Sequence, residues 1–306
     1  MTTTNTPVAL HPTQCAICQT TDAATEIYHA NFDQGMFNAA VFSARRLPDG
    51  VHYRMVRCNT CGLVRSDPIV DLDVLANLYA RSVVTYGDEI PDLKFTYGHY
   101  LDRVSKFHAD KGSLLEVGGG NGFFLEQALT QGYQEVCGVE PSEEAIQKAD
   151  PRIRPSLICD IMRPGLFEAN RFDVVCLFQV FDHIVNPGEI LAECYKVLKP
   201  GGALLCLNHN IEAVSARLLG ERSPIIDIEH TYLYSKATIS RLVEQQQFKV
   251  SEVGSVYNRY ALRYLMRLVP FPKAIKQGLV NAVANNRLGR VRLSVPLGNL
   301  YLIAQK

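Results

Sequence analysis

The sequence predicts an α/β fold built on a central parallel sheet, and three observations carry that expectation. From Ser113 to Glu140 the run SLLEVGGGNGFFLEQALTQGYQEVCGVE places a strand, a glycine turn, a helix and a second strand in immediate succession, one βαβ unit. From Phe172 to Leu205, FDVVCLFQVFDHIVNPGEILAECYKVLKPGGALL repeats the order of strand, helix, turn and strand. Between and around them, short β-rich runs alternate with helical patterns, as parallel sheets require.

In the first unit, Leu114 to Val117 is a short apolar strand of the kind buried on both faces. Gly118-Gly119-Gly120-Asn121-Gly122 follows, where missing Cβ atoms permit a sharp turn and let backbone amides come close to a ligand. A helix is predicted from about Asn121 to Gln131, ended by Gly132, and a second strand from Glu135 to Val139. Glu140 then stands at the carboxyl end of that strand, the end that faces the ligand crevice of an open α/β sheet.

The glycine spacing separates two ligand classes. A dinucleotide fingerprint needs G-x-G-x-x-G, but from Gly118 its third position is Phe123 and from Gly120 it is Leu125. An NAD-dependent oxidoreductase is therefore the disfavoured alternative. What stands instead is Glu116, one spacer, Gly118-x-Gly120-x-Gly122, and Glu140 further on. This pattern resembles the cofactor loop of class I S-adenosylmethionine-dependent methyltransferases. The second block, down to its KPGG turn, resembles the later half of the same core. The resemblance implies a Rossmann-like seven-stranded sheet and an enzyme that uses S-adenosyl-L-methionine. In it, Glu116, Gly118, Gly120 and Gly122 pass close to the methionine part of the cofactor, and Glu140 with the adjoining Pro141 holds the ribose. Asp160, after a predicted third strand Leu157 to Cys159, falls where adenine is contacted, and Gln179, past the fourth strand, near the sulfonium. His183 falls where a helix-start packing residue is usual.

At 306 residues and 47% hydrophobic composition the chain can bury a sizeable core. Its formal net charge of zero argues against nucleic acid as a partner. No run of eighteen apolar residues occurs, so no membrane span is expected. Residues 1–14 are polar, read as a disordered lead-in without an export signal. With nine cysteines this points to a reducing, cytoplasmic setting.

Residues 15–70 are expected to form a zinc-binding module. Cys15-x-x-Cys18 and Cys58-x-x-Cys61 are two knuckles whose four thiolates complete the tetrahedral shell of a structural Zn²⁺. Cys137, Cys159, Cys176, Cys194 and Cys206 lie in apolar runs and are read as core packing. Residues 71–110 read as a helical linker or lid over the ligand mouth; Tyr79, Tyr86, Tyr97 and Tyr100 are read as core or lid aromatics, with Tyr86 the first candidate to reach the site.

The main domain should span 111–306. Ser142 caps a helix, Ser235 caps another through Gln246, a sixth strand covers Phe248 to Val256, and VPLGNLYLIAQK forms a final antiparallel strand at the sheet edge. In PIIDIEHTYLYS, Glu229-His230 is the catalytic candidate. It resembles the E-H element after the fifth strand of zinc-containing methyltransferases of sugar and secondary metabolism, where histidine and a nearby tyrosine act as acid and base. Here Ile226-Asp227 stands where that tyrosine is usual. A histidine suits proton transfer near neutral pH. Residues 257–294 are expected to be a basic helical insertion. Arg259, Arg263 and Arg267 would form one stripe, and the stretch from Tyr257 onward holds no Asp or Glu. That favours an anionic acceptor, with peripheral contact to anionic lipid as a further reading. The sequence thus points to a methyltransferase acting on a small or carrier-linked acceptor, a nucleotide-linked or glycan sugar. A non-catalytic zinc-bearing binding module is the alternative outside enzymes.

Overall fold

The computed structural model describes residues 9–32, 50–81, 87–268, 278 and 287–306. At its centre is a sheet of seven strands: β1 (Ser113–Val117), β2 (Glu135–Val139), β3 (Leu157–Ile158), β4 (Phe172–Phe178), β5 (Leu198–His209), β6 (Lys249–Ser255) and β7 (Asn299–Gln305). They lie in the order β3-β2-β1-β4-β5-β7-β6. The first five run parallel, and β7 is antiparallel to both β5 and β6.

The last strand was expected at the sheet edge and instead lies inside it. The residues explain the difference. Leu300, Leu302, Ile303 and Ala304 are fully buried, so β7 needs a neighbour on either side, whereas β6, KVSEVGS, is polar and tolerates the edge.

The helices are α1 (Leu72–Ala80), α2 (Ile90–Val104), α3 (Phe123–Thr130), α4 (Glu143–Gln147), α5 (Pro187–Val197), α6 (Val214–Leu219), α7 (Lys236–Gln245) and α8 (Leu262–Leu268). Strand alternation sends side chains to two apolar clusters. Leu115, Val175, Leu204 and Leu302 pack with Leu191 of α5 and Leu242 of α7 on one face. Leu114, Val174, Leu205 and Ile303 pack with Leu101 of α2 and Phe124 of α3 on the other. The strand ends at β1, β2 and β4 fall within a residue of those read from the sequence. Cys137, Cys176, Cys194 and Cys206 are core, as expected, but Cys159 is exposed, because β3 stops at Ile158 and leaves it beyond the strand.

The N-terminal segment forms an antiparallel sheet from Ala24–Tyr28, Met55–Cys58 and Val64–Ser66, and its fourth strand, Tyr232–Leu233, comes from far along the chain. Leu10–His11 pairs with Ile69–Val70, and the Thr13 N–H donates to Asp67 Oδ1 at 2.8 Å. The lead-in is therefore tied down from Leu10 and is not disordered through residue 14. Near the other end, Asn258–Ala261 and Arg292–Val295 form an antiparallel ribbon around α8. This corrects the expected arginine stripe, since Arg259 sits on a strand. Its guanidinium lies 3.5 Å from Asp92 and over the Phe95 ring, and Arg292 reaches Asp92 at 2.6 Å. Residues 269–277 and 279–286 of the expected helical insertion lie outside the described residues. Among the described residues no helix is long and apolar enough to cross a membrane.

Candidate active site

The glycine turn after β1 is closed by sterics. Gly118, Gly120 and Gly122 have φ of 78°, 52° and 72°. A Cβ at Gly118 would stand 2.7 Å from Val180, and one at Gly122 2.6 Å from Ile153. The Gly118 and Gly119 N–H groups donate to Val139 O at 2.8 and 3.0 Å, which holds the turn against the end of β2.

Glu140 sits across from that turn. Its Oε2 accepts from the Gly120 N–H at 2.9 Å and its Oε1 from the Ser142 N–H at 2.8 Å. Burial pushes its carboxyl above the ordinary value, and the two amides pull the other way. Glu116 lies fully buried beneath, with Oε2 lacking a hydrogen-bond partner. Burial first, and the neighbouring Glu140 charge second, drive its carboxyl well above the usual range.

These groups open into a cavity of about 720 Å³ at the carboxyl ends of β1, β2, β4 and β5. Glu116, Gly118, Gly120, Glu140, Pro141, Asp160 and Gln179 all line it, whereas Gly122 shapes the turn from behind. Asp160 is held by Arg163 at 2.7 Å, and that guanidinium lowers its carboxyl below the ordinary value. Gln179 has φ of 55°, a strained conformation for a residue with a side chain. Its N–H donates to Leu207 O at 2.8 Å, which fixes it at the seam between β4 and β5. A turn that a Cβ would fill, facing a buried carboxylate able to accept from paired hydroxyls, fits S-adenosylmethionine. Helices α1 and α2 cover the mouth through Leu72, Leu75, Tyr79, Leu93 and Tyr97, the Tyr97 ring stacking on Phe178 at 4.3 Å.

The far wall of the same cavity carries His183, His209, Asp227, Glu229 and His230. Their organiser is Asp182, wholly buried in the turn after β4. Its Oδ2 accepts from His209 Nδ1 at 2.5 Å and from the His209 N–H at 3.3 Å, and His183 Nε2 lies 3.7 Å from Oδ1. Burial alone would raise the Asp182 carboxyl, yet the electrostatic attraction and hydrogen bond of the His209 ring win and hold it well below the ordinary value. His230 bonds Ile225 O through Nδ1 at 2.9 Å, its ring 4.4 Å from His209 and 5.0 Å from His183. Burial first, and the neighbouring His209 ring second, push its imidazole below the usual value. The Tyr79 hydroxyl stands 3.1 Å from His183 Nδ1 and donates to Glu229 O at 3.3 Å.

Tyr86 lies outside the described residues. The sequence reading ranked Tyr79 behind Tyr86, gave Asp182 and His209 no role, and took His183 for a packing residue, although it faces the cavity. The signal available was position: Phe181-Asp182-His183 lies within five residues of the end of β4, just beyond Gln179.

The four cysteines of the N-terminal module converge. Their sulfurs lie within 4.8 Å of one another, with Cys15 Sγ and Cys61 Sγ 3.4 Å apart. Burial pushes the Cys58 thiol up, but N–H donation from Cys61 and Thr60 brings it down to about 6. Four convergent thiols, one of them readily deprotonated, fit a tetrahedral zinc ion.

A family model described as a methyltransferase domain matches residues 93–253, just over half of the chain. Among curated relatives, the ubiquinone biosynthesis O-methyltransferase of Caulobacter vibrioides is 32% identical over 119 residues, covering 35% of this chain and 46% of that one. The protein of the same name from Psychrobacter cryohalolentis is 25% identical over 54% of this chain and 72% of that one. Thus the chain spans about half the length of the first relatives it matches. A solved S-adenosylmethionine-dependent methyltransferase of Archaeoglobus fulgidus shares 18% identity over 72% of this chain and 98% of that one, with a TM-score of 0.49. With the family match spanning the cofactor turn and both strand–helix blocks, the chain belongs to the class I S-adenosylmethionine-dependent methyltransferases.

Proposed function

We propose that the protein transfers the methyl group of S-adenosylmethionine to an oxygen of a small, mostly apolar acceptor. The observation that carries this reading is one cavity joining a glycine-and-carboxylate cradle to a wall of histidines and acids. The names of the curated relatives support oxygen as the methylated atom.

A nucleotide-linked sugar or another anionic acceptor, expected from the sequence, would call for cations to meet its phosphates. Among the described residues, Arg163 is the one Lys or Arg side chain lining the cavity, and it is committed to Asp160. Arg259 and Arg292 are drawn to Asp92 instead. The remaining lining, with Leu72, Leu75, Ile225, Tyr260, Tyr264 and Leu297, suits an uncharged ring or chain carrying a hydroxyl.

In the mechanism, Glu140 and the amides of the glycine turn hold and orient the nucleoside. When bound, S-adenosylmethionine supplies an electrophilic methyl group on a sulfonium. Tyr79 and Tyr97, on the covering helices, exclude water, and the acceptor is aligned for in-line attack while a histidine takes its proton. The four cysteines would hold a structural Zn²⁺, whose closed tetrahedral shell would leave no position for the acceptor.

The test is methyl transfer from labelled S-adenosylmethionine to two acceptor panels, substituted phenols and catechols against nucleotide-linked sugars. Transfer to phenolic oxygen is expected. Turnover confined to the nucleotide-linked sugars would overturn the acceptor class, and no binding of S-adenosylhomocysteine would overturn the whole reading.

A further inference from the structure

Three histidines face the acceptor end of the cavity, and they are not equivalent. His230 is almost wholly buried and anchored to a main-chain carbonyl, while His183 is anchored to a phenol. His209 is hydrogen-bonded through Nδ1 to a buried carboxylate, that of Asp182. That bond is short, and it is reinforced by the residue's own N–H reaching the same oxygen at 3.3 Å. Asp182 is in turn locked in place. Its main-chain carbonyl accepts from the Thr231 N–H at 2.9 Å, and its side chain has no exposed surface. A carboxylate accepting from Nδ1 fixes the tautomer of the ring, so that Nε2 carries the lone pair. Because Nδ1 points back at Asp182, Nε2 is on the opposite edge of a ring that lines the cavity. His209 also ends β5 two residues past Leu207, whose carbonyl holds Gln179. The base is thus placed beside the strand-end residue expected nearest the sulfonium.

We propose that His209 is the general base that takes the proton of the acceptor hydroxyl, with the buried Asp182 as its positioning residue. The inference rests on the oxygen-methylation reading above. As the acceptor oxygen bonds to the methyl carbon, the carbon–sulfur bond breaks and its electron pair stays on sulfur, which becomes a neutral thioether. The hydroxyl proton passes to His209 Nε2 and later to solvent, so charge and atoms balance. Asp182 faces the resulting imidazolium, and the other titratable groups around the pair among the described residues are His183, His230, Tyr79, Tyr234, Asp227 and Glu229. A buried carboxylate favours that cation by charge as well as by geometry.

The rival occupant of this cluster is a divalent cation, since one donor atom each from Asp182, His183 and His230 lies within 4.8 Å of the others. The proton relay uses Asp182 Oδ2, which takes both bonds from His209, a residue outside that set, whereas a cation would need Oδ1, which has no hydrogen-bond partner; the experiment separates the two.

The experiment uses the full chain and phenol probes of graded acidity. For His209→Ala, kcat/KM should fall about 10²- to 10³-fold with weakly acidic phenols and far less with 4-nitrocatechol, which ionises unaided. Added imidazole should restore part of the loss, while affinity for S-adenosylhomocysteine stays within about threefold of the parent. Asp182→Asn should remove the far-downfield Nδ1 proton resonance of His209 from the NMR spectrum. If that variant does not fold, the acidity series and imidazole rescue of His209→Ala decide alone. Equal losses across all phenols, or full activity in His209→Ala, would overturn the proposal. So would Mn²⁺ binding that is required for turnover and lost in His183→Ala. Absence of oxygen methylation by the parent protein would instead remove the reading on which the inference stands.

Discussion

In the proposed reading Glu140 concentrates the cofactor chemistry in one side chain. Two charge-assisted bonds to ribose hydroxyls would contribute on the order of 1.5 to 3 kcal/mol each, so Glu140→Ala should weaken S-adenosylhomocysteine binding at least a hundredfold by calorimetry. The pH dependence follows from the direction of its shift. Burial raises the carboxyl, and the ligand needs it ionised, so affinity should be full at about pH 8 and decline as the pH falls through the raised value. Folding of the free protein has the opposite sign. A carboxyl raised above its unfolded value stabilises at low pH, and that contribution fades as the pH rises through the folded value. Acidification should therefore shrink the rise in Tm caused by S-adenosylhomocysteine without costing this part of the fold, and in Glu140→Gln the ligand-induced rise should be small and flat with pH. At Gly122, φ of 72° and a Cβ that would meet Ile153 at 2.6 Å predict that Gly122→Ala loses about 1 to 3 kcal/mol of stability, readable by urea denaturation.

At the scale of elements, the N-terminal sheet and the candidate site share a segment. Ser66 Oγ donates to His230 O at 2.7 Å, the Ser66 N–H donates to Thr231 O at 2.9 Å, and Tyr232 pairs with Arg65. Stripping metal from the four cysteines, or replacing Cys58 by Ser, should therefore increase amide exchange across residues 231–233 and lower turnover together with Tm. An effect on Tm alone would show the two regions to be uncoupled. This arrangement also explains what was and was not legible in the sequence. Elements recorded as local patterns, such as the glycine turn, the Ser235 cap with its Thr238 partner and the strand of Phe172 to Phe178, could be read directly. The histidine cluster could not, because His183 follows β4, His209 ends β5 and His230 comes from a later connection, and they meet only once β4 and β5 are paired. A lone histidine after a strand looks like packing until its partners are in place. The arginines misled for a related reason. Spacing by four implied one helical face, but Arg259 belongs to a ribbon whose partner strand lies more than thirty residues away.

Across the whole molecule, stability should depend most on the strand that closes the sheet. Leu302 is fully buried and contributes to the core shared with α5 and α7, so Leu302→Ala should lose about 2 to 5 kcal/mol. Chemical denaturation should show that loss in the same transition as the cofactor domain. Placing β7 between β5 and β6 also has a consequence during synthesis. A nascent chain released up to residue 298 already contains every residue of the glycine turn and the histidine wall, yet β5 and β6 have no strand between them to bridge the gap. Ribosome-stalled chains of increasing length should thus gain protease resistance abruptly, and only after Asn299–Gln305 has cleared the exit tunnel.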